Sequence, residues 1–372
     1  MGIGMTRTTK SRTESTLRMV DDLEALRESI DRDPLRVEPG AEGFAATDEE
    51  DGGLESMPVP RTSRRDGESE ELRAERERLF EAGRRAVDKL SESRSTELSE
   101  DEQSGLEAIV LLRFRPALLI QGGTFADPPD EWSVLARPDV RPRIETTIRS
   151  VGRIEAINHP AGLDWIGTGF LVADDVVMTN RHVAMEFART TDGATWDFPP
   201  RMKVRIDYVE EYGSTSKAEF NITGIIGVHD GDVDMALLRV SSRGSTGAKR
   251  PKPLPLAANP KLDKNQKLYV VGYPASDSRR NDPVEMRRIF ENIFDVKRLQ
   301  PGVIMKLTAA GKLLTHDCST LGGNSGSAVV DLDTHQVVGL HFGGKYLMGN
   351  SAHVLSTLQD DPLVRKAGLQ FV

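Results

Sequence analysis

Three short stretches carry residue types that can do chemistry together. Gly322-Gly323-Asn324-Ser325-Gly326-Ser327 runs into the apolar segment Ala328-Val329-Val330. A serine set between glycines just ahead of a strand is held on a tight turn, where nearby N–H groups can converge on a developing oxyanion. That is what an acyl-transfer nucleophile requires, although the string alone also describes a glycine-rich hairpin turn. Its company narrows the reading. Thr179-Asn180-Arg181-His182-Val183-Ala184 and Asp232-Val233-Asp234-Met235-Ala236-Leu237-Leu238 lie upstream, each at the edge of a strand-like apolar segment. Histidine, aspartate and serine in that chain order form one of the few sequences of residues that build a Ser-His-Asp triad.

The elements that must position these residues are short strands. From about Ile144 onward, strand-like runs alternate with turns every ten or so residues, which points to a barrel or sandwich. Val151–Ile157, Thr168–Val172, Val176–Thr179, Met202–Tyr208, Phe220–Val228 and Met235–Val240 make a first set. After a loop rich in Gly, Lys and Pro, a second set follows: Pro253–Leu256, Leu268–Gly272, Val303–Leu307, Lys312–Thr315, Ser327–Leu332, Val337–Phe342 and Ala352–Leu355. Two successive barrels with a cleft between them account for the count. An insertion from Ser276 to Gly302 has helical character through Met286, Ile289, Phe290 and Ile293.

The region ahead of the strands is different. Residues 1–68 are rich in Arg, Asp, Glu, Ser and Gly, a composition that cannot offset the entropy of ordering, so most of this tail is expected to be disordered. Within it, Met19, Leu23, Leu26 and Ile30 recur at helical spacing and describe one short amphipathic helix. Residues 69–140 read as a helical module and linker. One helix spans about Ser69 to Leu90, with Leu72, Leu79, Phe80, Val87 and Leu90 on one face; a second opens at Ser99, with Glu102 at capping-box spacing, and carries Leu106, Ile109, Val110 and Leu112. Pro116 breaks the pattern, and Gly122-Gly123 with Pro128-Pro129 mark the linker. Residues 141–372 are then the catalytic domain.

Composition narrows the setting. The 372-residue chain has a net charge of -9, which argues against a nucleic-acid partner, since phosphate binding needs a basic face. Its start has no apolar export segment, and no run reaches transmembrane length, so no membrane partner is expected. The single cysteine, Cys318, forbids an intrachain disulfide and fits a cytoplasmic, reducing compartment. The histidines are scattered and no Cys pair exists, so no metal and no cofactor is expected.

At this point a family comes into view. Gly167-Thr168-Gly169-Phe170, Thr179-Asn180-Arg181-His182-Val183, Asp234-Met235-Ala236-Leu237-Leu238, Gly272-Tyr273-Pro274, Gly322-Gly323-Asn324-Ser325-Gly326-Ser327 and Gly339-Leu340-His341-Phe342-Gly343-Gly344 together resemble the bacterial trypsin-like serine peptidases of the chymotrypsin fold. Within that group they look most like the glutamyl endopeptidase branch. The resemblance spans residues 145 to 360 and implies an all-β unit of two six-stranded antiparallel β-barrels. It implies Ser325 as nucleophile, His182 as general base and then acid, and Asp234 as the residue that fixes the imidazole tautomer. Backbone N–H groups of Gly323 and Ser325 would form the oxyanion hole. Asp232 neighbours Asp234 but does not stand immediately before the apolar strand. His229 and His316 lack the Thr-Asn-Arg-His-Val context and read as ordinary surface or cleft histidines. Cys318 lacks the glycine turn and reads as a small buried apolar residue.

For specificity, Ser319 stands six residues before the nucleophile, where trypsin-like enzymes that cut after Lys or Arg carry aspartate. Thr320 and His341 fall where glutamyl endopeptidases hydrogen-bond an acidic P1 side chain, so the resemblance implies a Glu or Asp preference; otherwise His341 is a strand histidine bonded to backbone. Phe342-Gly343-Gly344 is expected to pair with substrate by β-addition, its glycines leaving the pocket mouth open. Asn324 replaces the aspartate that pairs with a freshly cut N-terminal amine in zymogen-activated relatives, and Ala328 replaces a common proline. The resulting expectation is a cytoplasmic serine endopeptidase acting on protein or peptide substrates, with N-terminal helices that engage a regulatory protein partner. The alternative is a catalytically silent module that uses the cleft to hold peptides.

Overall fold

The computed structural model describes residues 13, 16–17, 20, 23–32, 70–93, 96–275, 290, 293–345 and 349–372. The chain divides into two compact units, Met1–Ile109 and Val110–Val372. The expected tail from 38 to 67 and the helical insertion from 276 to 289 lie outside the described residues, as does Met19.

The first unit is helical. Helix α1 (Leu23–Arg32) buries Leu23, Leu26 and Ile30 at the expected spacing, and its Arg27 pairs with Asp88 at 3.1 Å. Asp88 lies on α2 (Glu70–Glu92), whose Ala82, Ala86, Val87 and Leu90 are buried. Helix α3 (Glu100–Phe114) starts with a true capping box: Glu102 N–H donates to Ser99 Oγ at 3.2 Å, and Ser99 N–H donates to Glu102 Oε2 at 2.9 Å. Gly83 of α2 lets the two helices approach closely, because a Cβ there would stand 2.4 Å from the Gly105 carbonyl oxygen.

The second unit begins with the end of α3, and the stretch read as a linker is structured. Strands β1 (Leu118–Gln121) and β2 (Thr124–Phe125) form a hairpin around Gly122 and Gly123, whose φ values of +62° and +77° suit a two-residue turn. The glycine pair that reads as a linker is thus a hairpin corner. β1 also pairs with the barrel strand that follows Lys297, placing Leu118 opposite Leu299. After a 3-10 turn over Asp130–Ala136, helix α4 (Arg141–Ser150) carries Pro142 in its first turn and buries Ile144 and Ile148 one turn apart. The change of pattern placed at about Ile144 thus falls inside α4, and the first strand begins at Val151 as expected.

Strands β3 (Val151–Ile157), β4 (Trp165–Ala173), β5 (Val176–Thr179), β6 (Lys203–Asp207), β7 (Glu219–Val228) and β8 (Ala236–Val240) close a barrel in the order β3-β4-β5-β8-β7-β6. The second barrel uses β9 (Lys267–Gly272), β10 (Arg298–Leu307), β11 (Leu313–His316), β12 (Ala328–Asp331), β13 (Val337–Lys345) and β14 (Gly349–Val354), closed by the β10–β11 pairing. β10 starts five residues before the expected Val303. Pro253–Leu256 is not a strand: Leu256 makes only isolated bridges, to Val337 and Phe371. Two six-stranded antiparallel barrels in tandem constitute the chymotrypsin-like fold.

Alternation along each strand sorts side chains between cores. Val177 and Leu238 fill the first barrel with Ile154, Ile206 and Phe220, and Val270 and Val329 fill the second with Ile304, Leu314 and Val338. Their neighbours Met178, Leu237, Tyr269, Val271 and Ala328 face a shared layer that includes Phe170, Ile148 and Leu340. No helix among the described residues is long and apolar enough to cross a membrane.

Candidate active site

After β5 the chain turns at Asn180 into the single helical turn α5 (Arg181–Ala184). The fully buried Asn180 donates from Nδ2 to the Asp234 carbonyl oxygen at 2.9 Å, and Arg181 donates to the carbonyl oxygens of His229 at 3.1 Å and Gly231 at 2.5 Å. These bonds tie α5 to the loop ahead of β8 and bring His182 against Asp234. The carboxylate holds the histidine at two points. Asp234 Oδ2 lies 2.6 Å from His182 Nδ1, and Oδ1 accepts the His182 backbone N–H at 3.0 Å. Partial burial alone would raise the Asp234 carboxyl, but the His182 hydrogen bonds and the imidazole charge outweigh it and hold the group below its ordinary range. With Nδ1 engaged by the carboxylate, Nε2 is the nitrogen free to accept a proton. Asp232 is exposed to solvent.

Ser325 sits on a turn whose backbone is fixed by glycines. Gly323 and Gly326 have φ of +84° and +90°, and a Cβ at Gly326 would stand 2.0 Å from the Thr168 carbonyl oxygen. The amides of this turn divide in two. Asn324 N–H donates to Leu321, Gly326 N–H to His341 and Ser327 N–H to Asn324. Among the described residues, the N–H groups of Gly323 and Ser325 donate to no protein acceptor. Gly167 brings the serine turn to the histidine helix: its Cα faces the Val183 side chain and the Ser325 carbonyl oxygen, which a Cβ would meet at 2.8 and 3.1 Å. No hydrogen bond joins the Ser325 hydroxyl to His182 among the described residues.

Asn324, fully buried beneath the turn, accepts from Gln300 Nε2 at 3.1 Å and donates to the Leu321 carbonyl oxygen at 3.3 Å. Asn324 and Gln300 thus form a neutral amide pair beneath the turn. Gly272 makes room for it, since a Cβ there would stand 2.4 Å from Asn324 Oδ1 and 2.2 Å from Ser327 Oγ.

The residues expected to line the specificity pocket come together around the end of β11 and the end of β13. His341 is buried on β13, and its Nδ1 lies 3.2 Å from Nε2 of His316 on β11. Burial, with the nearby His182 charge, pushes the His341 pKa down to about 3, and burial followed by His341 pushes His316 well below its ordinary value, so both rings are neutral at neutral pH. His316 is therefore not a surface or cleft histidine but one of the most buried side chains in the unit. Ser319 donates from Oγ to the Arg115 carbonyl oxygen at 2.6 Å, and Arg115 pairs with Asp317 at 2.5 Å in a buried ion pair. Thr320 N–H and Asn350 Nδ2 both donate to the Cys318 carbonyl oxygen, at 2.9 and 2.6 Å, and Cys318 itself is buried, its thiol pKa raised by desolvation. A Cβ at Gly343 would meet nothing within 4 Å, whereas one at Gly344 would overlap Asn350.

Three acids, Glu155, Asp207 and Glu210, come close enough to share a cation. Arg153 bridges Glu155 and Glu210, Arg205 binds Glu155 and Lys217 binds Glu210, so the positive charge is already supplied by side chains.

Sequence reasoning missed three contributors. Trp165 stands beside the serine turn, 2.4 Å from where a Gly323 Cβ would lie. Arg115, outside the barrels in sequence, pairs with Asp317 and accepts from Ser319 Oγ, and His353 Nε2 accepts the Asp234 N–H at 3.0 Å. Only Trp165, two residues before Gly167, lies near a motif that could have flagged it.

Residues 167–340 match the trypsin-like peptidase domain family. That stretch is a trypsin-like peptidase domain, and its serine protease homologues support a serine endopeptidase, a hydrolase that cuts peptide bonds. A probable serine protease of Lysobacter enzymogenes is 27% identical over 365 residues, covering 86% of this chain and 93% of its own. The glutamyl endopeptidase of Staphylococcus epidermidis is 28% identical over 180 residues, 48% of this chain and 54% of its own. That of Staphylococcus aureus strain MW2 is 26% identical over 190 residues, covering 50% and 49%. The chain thus spans about half the length of the glutamyl endopeptidases it matches. Among solved structures, a protease of M. tuberculosis in its active form is similar at 23% identity and a TM-score of 0.39, over 63% of this chain and 89% of that one. The serine endoprotease of Yersinia pestis is similar at 16% identity and 0.41, over 61% and 67%.

Proposed function

We propose that this peptidase works through Ser325, His182 and Asp234, with the N–H groups of Gly323 and Ser325 as its oxyanion hole. The observation that carries the reading is the two-point hold of Asp234 on His182. Ser325 Oγ attacks the scissile carbonyl carbon while His182 Nε2 takes its proton; the carbonyl oxygen becomes an oxyanion facing the two unengaged amides. The imidazolium, stabilised by Asp234, then protonates the leaving amine. Water attacks the acyl-enzyme by the same route in reverse, and Ser325 regains its proton.

A Glu or Asp preference at P1 belongs to this reading. His341 is neutral and lies against His316, so in the tautomer where His316 Nε2 donates, His341 carries its own proton on Nε2 and can offer it to a carboxylate. No acid stands at Ser319 to receive a basic side chain. Gly343 and Gly344 extend β13 past its pairing with β12, which leaves an edge for substrate backbone. The helical unit ahead of the peptidase serves as the docking point of a regulatory protein, and the buried, lone Cys318 suits a cytoplasmic setting.

Fluorophosphonate labelling of the full-length chain, with Ser325→Ala as blank, tests the triad. Labelling of the native chain and not of the variant supports it, and equal silence in both overturns it. Peptides differing only in Glu, Lys, Phe or Ala at P1 test the preference, which a higher kcat/KM for Lys or Phe would refute.

A further inference from the structure

His353 is assigned no role in the chemistry above, yet it is the second barrel's contact with the acid of the first. It lies on β14, opposite Leu313 of β11 and Leu340 of β13. Its Nε2 stands 3.0 Å from the backbone nitrogen of Asp234. The donor in that contact is a peptide N–H, so Nε2 must be the unprotonated acceptor. The ring is kept in place by Phe342, whose ring lies 4.5 Å away centroid to centroid at 30°.

The same peptide is fixed from the other side, because Asn180 Nδ2 donates to the Asp234 carbonyl oxygen. Both backbone polar groups of Asp234 therefore have a side-chain partner, and the carboxylate between them can rotate only about its own side-chain bonds. We propose that His353 is a positioning residue for the acid–histidine pair, its unprotonated Nε2 fixing the Asp234 peptide and so the carboxylate that orients His182. This inference rests on the reading of Asp234 as the triad acid.

The hold depends on protonation. The charged groups that face His353 are Asp234 itself, His229 at the end of β7 and Arg181 on α5. Burial first, then His229 and Arg181, lower its pKa against the opposing pull of Asp234, so the ring is neutral at neutral pH. As pH falls through the lowered value, Nε2 gains a proton and ceases to accept. The Asp234 N–H is then left facing a donor, and the hold on the acid is lost. This step adds one proton to whatever the general base itself requires.

The test is the rate of fluorophosphonate labelling from pH 4 to 9 for the native chain, His353→Gln, His353→Phe and Asp234→Asn. Glutamine offers an amide oxygen that accepts the N–H and does not titrate, whereas phenylalanine offers no acceptor. His353→Phe is expected to label about tenfold more slowly at neutral pH, and His353→Gln within about twofold of native. The native acid limb should steepen towards two protons, about 100-fold per pH unit, and that of His353→Gln should stay at one, about tenfold. Native rates in His353→Phe, a Gln variant as slow as the Phe variant, or identical acid limbs in native and Gln chains each overturn the inference. If His353→Phe does not fold, the Gln profile still decides. Asp234→Asn separates the two levels: at native rate it removes the triad reading and this inference together, whereas if it is crippled and His353→Phe is not, only the role of His353 falls.

Discussion

The Ser319 hydroxyl donates to the Arg115 carbonyl oxygen at 2.6 Å, joining residues 204 positions apart. Arg115 is outside both barrels in sequence, yet its guanidinium also binds Asp317 on the same wall, and the next residues supply β1 and the Ala117 carbonyl oxygen that buried Arg298 uses. A peptidase unit cut within this strap loses part of itself. A chain beginning at Val110 is expected to fold and label, whereas one beginning at residue 126 leaves Asp317 and Arg298 as buried charges without these partners. Breaking a buried pair costs about 3–5 kcal/mol, so the shorter chain should melt about 10 °C lower or more. A thermal scan of both truncations checks this, and equal melting would show that the strap is dispensable.

Asp234 makes both of its carboxylate contacts with His182, which sets a second expectation. In Asp234→Asn the amide nitrogen can face Nδ1 and select the wrong imidazole tautomer. kcat should fall about 10,000-fold with KM little changed. A fall below tenfold would mean that another group orients the imidazole.

The motifs proposed to form the triad stand out in the sequence because each couples a special residue to a local signal: glycines around Ser325, a strand end before His182 and a strand start after Asp234. The barrel strands were legible for the same reason, since alternation is a local property. The misreadings arose where local chemistry has two meanings. Gly122-Gly123 looks like a linker and is a hairpin corner, and the change of pattern placed at about Ile144 falls inside α4, the first strand beginning at Val151 as expected. Arg115, His316 and His353 could not be placed, because their roles depend on partners 25 to 204 positions away. No spacing rule reaches that far, and only closure of the barrels brings them together.

Gly323 has a requirement that a single methyl group tests. Its φ of +84° disfavours any L side chain, and a Cβ would meet the Trp165 ring and the Tyr273 carbonyl oxygen, both at 2.4 Å. Gly323→Ala must move the turn, and with it one proposed oxyanion donor. A kcat loss of about 100- to 1,000-fold is expected. Circular dichroism should stay native, since the glycine lies on a surface-accessible turn and not in either barrel core. Unchanged kcat would place the oxyanion elsewhere.

The buried histidines predict how stability depends on pH. His316, His335, His341 and His353 all have lowered pKa values, with burial as the first cause in each. A group whose folded pKa is depressed binds fewer protons in the folded state, so its contribution is complete above the unfolded value and is lost as pH falls towards the folded one. For His341 that window runs from 6.5 down to about 3. The upper part of the window favours the histidines, because the lowered carboxyls Glu155 and Asp234 contribute only near their own ordinary range, below about pH 5, while Asp207, raised by burial, acts in the opposite sense. Denaturant unfolding between pH 6.5 and 5 should therefore show stability falling with pH, His341 and His316 each adding about 1.4 kcal/mol per pH unit once their unfolded forms are protonated. His341→Gln should reduce that slope by close to one proton. A slope identical to that of the native chain would mean that His341 is not held neutral, and the proposed recognition of an acidic side chain by a neutral imidazole would lose its basis.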